Sequence, residues 1–95
     1  MNDAHINLER RVAGLAAAGA AVALAGNRIG LEKEGLRVTP GCRLADSPHP
    51  PALGSALTHP YITTDFSEAL IELVTPALTG AQEVLDFLTD IHRYV

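Results

Sequence analysis

Residues 30–38, GLEKEGLRV, constrain the fold more than any other part of this 95-residue chain. Their alternation predicts a strand, in which Glu32 and Glu34 point to the same face. Two neighbouring like charges keep that face out of an apolar core unless something compensates them. The face therefore lies either in solvent at a sheet edge, with Lys33 and Arg37 nearby, or in a charged site.

The composition indicates a folded domain, with 47 % apolar and 19 % charged residues. A chain of this length buries about 60–65 % of its unfolded surface, which is enough for one modest core. The net charge of −4 and the absence of a Lys/Arg run argue against a nucleic-acid partner. The single Cys42 excludes an internal disulfide and offers no zinc-ligand spacing, which suits a reducing cytoplasm.

The Ala-rich segment of residues 7–25 predicts a helix whose apolar residues fall on one face. The alternative is a cleaved signal peptide of an exported protein, because two arginines precede an apolar run. Asp3 and Glu9 in the amino-terminal region argue against that alternative. The run is also shorter than the roughly 20 residues that span a membrane, so we expect no membrane partner.

The segment YITTDFSEALIELVTP predicts a second strand over about residues 61–74, although SEALIEL alone would favour a helix. Asp65 and Glu72 are seven residues apart, so a regular strand would send them to opposite faces. A bulge or a change from strand to helix would be needed to bring them together. A final amphipathic helix is predicted over about residues 80–95, with no terminator before Val95, which suggests a fragment.

Four acidic residues could meet if the two predicted strands pair: Glu32, Glu34, Asp65 and Glu72. At 4–5 Å and an effective dielectric near 20, each like-charge pair costs about 3–4 kcal/mol. A small domain has only about 5–15 kcal/mol of total stability, so a proton, a basic partner or a metal ion must compensate. Mg²⁺ is the natural candidate, since it prefers oxygen ligands. The sequence contains neither a Rossmann nor a P-loop phosphate motif.

Taken together, GLEKEGLRV, HPPALGSALTHPYITTDFSEALIELVTP and LDFLTDIHRYV resemble the amino-terminal region of the proteobacterial-type glutamate–cysteine ligases. The resemblance covers roughly residues 28–95 and implies an α+β fold, part of a curved antiparallel sheet of the glutamine-synthetase type flanked by helices. It also implies that residues 1–95 are the amino-terminal part of a single catalytic domain, incomplete by themselves. The remainder of that domain is then the expected partner.

The resemblance further implies ATP-dependent ligation of L-glutamate to L-cysteine, giving γ-glutamylcysteine for glutathione biosynthesis in the cytoplasm. By residue-by-residue matching, the Mg²⁺ ligands would be Glu32, Glu34, Asp65 and Glu72, and Phe66 would line the cysteine pocket. Arg37 matches a family arginine without an assigned contact. The alternative is a non-catalytic binding module that docks through its uncapped carboxy-terminal helix.

Overall fold

A computed structural model describes residues 3–95 and contains three α-helices and three strands. The predicted α+β class, with an antiparallel sheet and flanking helices, is confirmed. Within the described residues, no helix is both long and apolar enough to cross a membrane. The elements in chain order are α1 (Asp3–Ala17), α2 (Ala20–Ala25), β1 (Glu32–Leu36), a short 3-10 helix (Pro51–Leu53), β2 (Ile62–Thr64), β3 (Leu70–Val74) and α3 (Ala81–Tyr94).

The helix predicted over residues 7–25 is two helices, α1 and α2, and begins earlier than expected. Gly19 lies between them in the left-handed region, at φ 75°, which a residue with a Cβ rarely adopts. The break turns the chain and ends the continuous apolar stripe. Leu8, Val12 and Leu15 are exposed on α1, which has no buried residues.

The strand predicted over residues 28–38 is shorter, because regular pairing covers only β1. Before β1, the Leu31 amide donates to the Thr75 side-chain oxygen (2.8 Å), which interrupts the backbone ladder. Single main-chain bonds extend the β1–β3 pairing at Leu31–Thr75 and Arg37–Ala69. Further out, Ile29 forms an isolated bridge with Leu78, and Val38 forms one with Leu44 of the following segment.

The strand predicted over residues 61–74 is wrong as a single strand, because the chain reverses within it. β2 and β3 form an antiparallel hairpin, joined by a turn in which the Leu70 amide donates to the Ser67 carbonyl (3.0 Å). The turn segment DFSEA contains Asp65 and Ser67, which are common in turns, but it has no glycine, proline or asparagine, and SEALIEL within the same segment also fits a helix. The sheet order is β1-β3-β2, so β3 is the central strand.

The core lies between the sheet and α3. Ile62 and Leu73 project from the sheet onto Ile91 of α3, and Leu53 of the 3-10 helix completes the cluster. α3 lies within the predicted range of residues 80–95 and packs its apolar stripe on this face. Since α3 covers one face of the sheet, the opposite face is left for polar side chains.

Candidate metal centre

The opposite face of the sheet carries the predicted acidic residues. Strand alternation places Glu32 and Glu34 on one face of β1, and places Glu72 away from the core-facing Leu73 on β3. In the register of the sheet, Glu34 pairs directly with Glu72. The two carboxylates therefore extend from neighbouring strands to the same side.

The hydrogen-bond pattern brings these two side chains especially close. The Arg37 amide donates to the Ala69 carbonyl (2.7 Å), and the Thr75 amide donates to the Leu31 carbonyl (2.9 Å). Odd-numbered residues of this strand therefore exchange the bonds with β3, and Glu34–Glu72 is a non-hydrogen-bonded pair. Such pairs have Cα atoms only about 4.5 Å apart, so their side chains approach more closely than those of bonded pairs.

Asp65 reaches the same face through the hairpin. Its amide donates to the Leu70 carbonyl (3.2 Å), which extends the β2–β3 register by one residue. In that register Thr63 pairs with Glu72 and Asp65 with Leu70, so Asp65 lies on the Glu72 face. In a single regular strand Asp65 and Glu72 would point to opposite faces. They share a face here because the chain folds back between them.

Three carboxylates thus form one cluster, with an oxygen from each of Glu34, Asp65 and Glu72 within 4.8 Å of the others. Glu32 lies outside this trio, but its carboxyl is within hydrogen-bonding reach of Glu72. Each of the other three predicted ligands is therefore close to Glu72, which is their common neighbour.

The basic residues near the cluster in sequence do not neutralise it. Lys33 contacts His92 Nδ1 of α3 at 3.0 Å, on the other side of the sheet. The Arg37 guanidinium donates to Ser47 and to the Glu68 carbonyl instead. Among residues 3–95, no side-chain nitrogen of Lys, Arg or His lies within 4.0 Å of the carboxylate oxygens of the four acids. The repulsion among the carboxylates can therefore be offset by a bound proton or a metal ion, but not by a basic side chain of the described residues.

Among the clustered acids, Glu72 has a raised pKa. Desolvation of its half-buried side chain raises the pKa of Glu72, and the negative charges of Glu32 and Asp65 raise it further. A hydrogen bond with Glu32 and the charge of Glu34 act in the same direction. Each cause favours the protonated, neutral form of Glu72 when no cation is bound.

This shift predicts how the metal-free stability depends on pH. Because the folded pKa of Glu72 is raised, its contribution to stability is full below the unfolded value near 4.5 and is lost as the pH rises through the folded pKa. Glu72→Gln should therefore match the wild type at about pH 4 and become the more stable chain as the pH increases. Thermal melts in EDTA across a pH series measure the difference. A constant difference between the two chains would contradict this prediction.

The donor set fits a hard divalent cation. All the converging donors are carboxylate oxygens, which Mg²⁺, Mn²⁺ and Ca²⁺ prefer, and the trio contains no sulfur or imidazole ligand for a softer metal. The trio comes from β1, β3 and the residue that follows β2, so the sheet itself sets the spacing. A cation here would add an attractive contact with each carboxylate, which offsets the repulsion among the three.

Two further residues have clear positions. Phe66 follows Asp65 in the hairpin turn, and its side chain is 95 % exposed, so it is free to contact a ligand or another chain segment. Arg37 binds the turn from the side, a contact that sequence reasoning did not assign. The match to a family arginine drew attention to Arg37. Its partners are the Ser47 and Glu68 carbonyls and the Ser47 hydroxyl, which no sequence motif identifies.

Comparison with known proteins adds an independent result. A family model described as glutamate-cysteine ligase matches residues 12–95. The glutamate–cysteine ligase of Alcanivorax borkumensis is 57 % identical over 89 residues, which is 94 % of this chain and 17 % of that protein. The glutamate–cysteine ligase of Edwardsiella ictaluri is 59 % identical over 73 residues, 77 % of this chain and 14 % of that protein. The chain therefore spans less than a fifth of the length of these relatives.

Solved structures show the same relationship. The glutamate–cysteine ligase of Francisella tularensis in complex with AMP matches with a TM-score of 0.63 and 44 % identity, over 65 % of this chain and 12 % of that one. A bifunctional glutathione synthetase from Pasteurella multocida matches with a TM-score of 0.68 and 39 % identity, over 73 % of this chain and 10 % of that one. These matches favour the ligase interpretation over the binding-module alternative.

Proposed function

The chain belongs to the glutamate–cysteine ligase family, and from that premise we propose that it supplies the divalent-cation ligands of an enzyme that joins L-glutamate to L-cysteine. The observation that carries the proposal is the trio of carboxylate oxygens within 4.8 Å on one face of the sheet. The product would be γ-glutamylcysteine, formed with ATP in the cytoplasm as the first step of glutathione biosynthesis.

In this proposal Glu34, Asp65 and Glu72 hold Mg²⁺, and Glu32 holds a second position beside Glu72. Bound Mg²⁺ supplies positive charge to the phosphate oxygens of ATP. The carboxylates on β1 and β3 would keep that charge at one place, because strands hold ligands more rigidly than loops do. Exposed Phe66 would form part of the wall of the cysteine pocket.

The proposed reaction has two steps. The side-chain carboxylate of glutamate takes the terminal phosphoryl group of ATP, which gives an acyl phosphate and ADP. The amine of cysteine then attacks the acyl carbon, the bond from that carbon to the phosphate oxygen breaks, and the amine loses a proton as phosphate leaves. The protein contributes mainly position and charge, because phosphoryl transfer needs little covalent chemistry from side chains.

In this proposal the partner of the chain is the rest of the catalytic domain, which would complete the active site around the cation ligands. The relatives devote more than four fifths of their length to segments beyond the match, and the remaining contacts to ATP, glutamate and cysteine would come from such segments.

We therefore expect no ligase turnover from the 95-residue chain alone. The chain has a cluster of cation ligands, but its described residues include no phosphate-binding motif of the Rossmann or P-loop kind. A coupled ADP-release assay with glutamate, cysteine and Mg²⁺ measures this directly. Turnover by the pure chain would show that the active site is complete without further segments.

A chimaera tests the proposed function itself. The matching segment of the Alcanivorax borkumensis ligase is replaced with this chain, and ligation is followed by the same assay in Mg²⁺. The parent enzyme is the positive control, and a chimaera containing Glu68→Gln controls for loss of an acid outside the cluster. We expect Mg²⁺-dependent turnover from the chimaera and from its Glu68→Gln variant. A folded chimaera with no turnover would contradict the proposed function.

A further inference from the structure

We propose that Arg37 is a positioning residue for the metal centre, acting by fixing the hairpin turn that carries Asp65. This inference rests on the proposed function, since it assumes that Asp65 is a cation ligand. Arg37 itself touches none of the acidic side chains in the cluster. Its role would be to hold the turn in the one arrangement that brings the Asp65 carboxylate to the trio.

The contacts of Arg37 are concentrated on the turn and on one neighbouring loop. Its main-chain amide donates to the Ala69 carbonyl (2.7 Å), and Nη2 and Nε donate to the Glu68 carbonyl (3.1 and 3.4 Å). On the other side, Nη2 donates to the Ser47 carbonyl (2.7 Å) and Nη1 to its Oγ (3.1 Å). A single guanidinium thus ties β1, the turn and the Ser47 loop together.

At its far end the turn is held by Ala69, which is 5 % exposed. Residues 65–68 are exposed and have few other contacts. The internal bonds of the turn are Leu70 N–H to the Ser67 carbonyl (3.0 Å) and Asp65 N–H to the Leu70 carbonyl (3.2 Å). β2 is only three residues long, and Asp65 lies just beyond its end. The Phe66 side chain is 95 % exposed and gives the turn no packing. The position of Asp65 therefore depends on the Arg37 bonds to a greater extent than the positions of Glu34 and Glu72, which lie within paired strands.

The guanidinium does not act as a counter-charge. The ladder continues to Arg37 through its amide bond to Ala69, so strand alternation puts the Arg37 side chain on the face opposite Glu34. Within residues 3–95 no carboxylate oxygen lies within 4.0 Å of its nitrogens. Its partners are carbonyl and hydroxyl oxygens, and the planar fork of an arginine can bind several of them in fixed directions.

Arg28 offers a matched control. Its Nε and Nη2 both donate to the Ala77 carbonyl (3.2 and 2.7 Å), so it is another exposed arginine bound to the main chain across the fold. It lies near the Ile29–Leu78 bridge rather than at the hairpin turn. Replacing Arg28 removes a charge and a main-chain clamp without touching the segment that carries Asp65.

The experiment measures Mn²⁺ affinity of the full chain by electron paramagnetic resonance of free Mn²⁺, with thermal melts in EDTA for stability. Arg37→Gln should bind Mn²⁺ about 10- to 100-fold more weakly, the usual loss when a residue that orients a ligand is removed. Arg28→Gln should lower the melting temperature without changing the affinity. Arg37→Lys should not restore binding, because a lysine keeps the charge but not the fork.

The outcomes separate the two proposals. If the wild-type chain does not bind Mn²⁺, the proposed function fails at the metal centre itself. If the wild type binds and Arg37→Gln binds equally well, or Arg37→Lys restores binding, the positioning role is wrong. Should Arg37→Gln fail to fold, Ser47→Ala removes only the Oγ acceptor of the same clamp. A weaker Mn²⁺ affinity of Ser47→Ala supports the proposal, and an unchanged affinity overturns it.

Discussion

Glu72→Gln is expected to weaken Mn²⁺ binding by at least about 100-fold, beyond the 10- to 100-fold typical of an outer-shell residue. Glu72 lies on the central strand, pairs with Glu34 in the sheet register, and belongs to the same oxygen trio as Asp65. It is also the neighbour that Glu32 contacts, so its loss removes the shared member of the cluster. In the ligase chimaera the same change should slow turnover by orders of magnitude.

The same substitution should stabilise the metal-free chain above the folded pKa of Glu72. The pKa of Glu72 is raised because its charged form is desolvated and repelled by the surrounding acids, and a neutral glutamine removes that repulsion. A change that strengthens the metal-free fold and weakens cation binding is characteristic of a ligand cluster. An ordinary structural residue would lower both quantities when replaced.

Mn²⁺ titration and thermal melts with and without the cation provide both measurements. Glu68→Gln is the matched control, because it removes the same charge from an exposed residue of the adjoining turn, outside the trio. It should leave the affinity and the turnover of the chimaera near wild type. Equal effects of the two substitutions, or normal turnover with Glu72→Gln, would remove the metal assignment.

Leu73→Ala is expected to lower the free energy of unfolding by about 2–5 kcal/mol, the usual cost of truncating a buried leucine. Leu73 is 4 % exposed on the central strand and packs with Ile62 of β2 and Ile91 of α3. The total free energy of unfolding of a small domain is only about 5–15 kcal/mol, so this loss leaves a larger fraction of the chain unfolded at 37 °C. Cation binding would be lost with it, because Leu73 is adjacent to Glu72 on the same strand.

Urea unfolding followed by circular dichroism measures this effect, with an unchanged slope indicating an unchanged unfolded state. Leu85→Ala is the control, since the same truncation occurs on α3 at a side chain that is 50 % exposed. Alanine is a better helix former than leucine, so the control should stay within about 0.5 kcal/mol of wild type. Comparable losses from both variants would mean that the core is not where the structure places it.

Several features could be predicted from the sequence because they depend on local pattern. Alternation in residues 30–38 is sufficient to place Glu32 and Glu34 on one face, whatever the strand pairs with. The apolar spacing of the last helix likewise predicts α3 and the side that packs. Pairing of the two predicted strands makes the four acids candidate neighbours, and the family resemblance implies that they are cation ligands. The structure brings them to one region of the sheet.

Other features depend on contacts between distant segments. The break of the first helix follows from Gly19 adopting a positive φ, which a glycine permits but does not require. The β2–β3 reversal occurs in DFSEA, where Asp65 and Ser67 are common turn residues but no glycine or proline marks a reversal. Arg37 and Ser47, which bind this turn or its neighbouring loop, lie far away in sequence. Alternation along a single strand therefore puts Asp65 and Glu72 on opposite faces, whereas the hairpin puts them on the same face.

The local order of residues determined that this chain has a strand with two glutamates on one face and an amphipathic helix to cover the other. Tertiary structure alone decided that Asp65 joins them, because a hairpin reverses the chain and changes which residues share a face. The physical reason is that alternation acts over neighbouring residues, whereas the register between strands is set by main-chain bonds and core packing across the whole sheet.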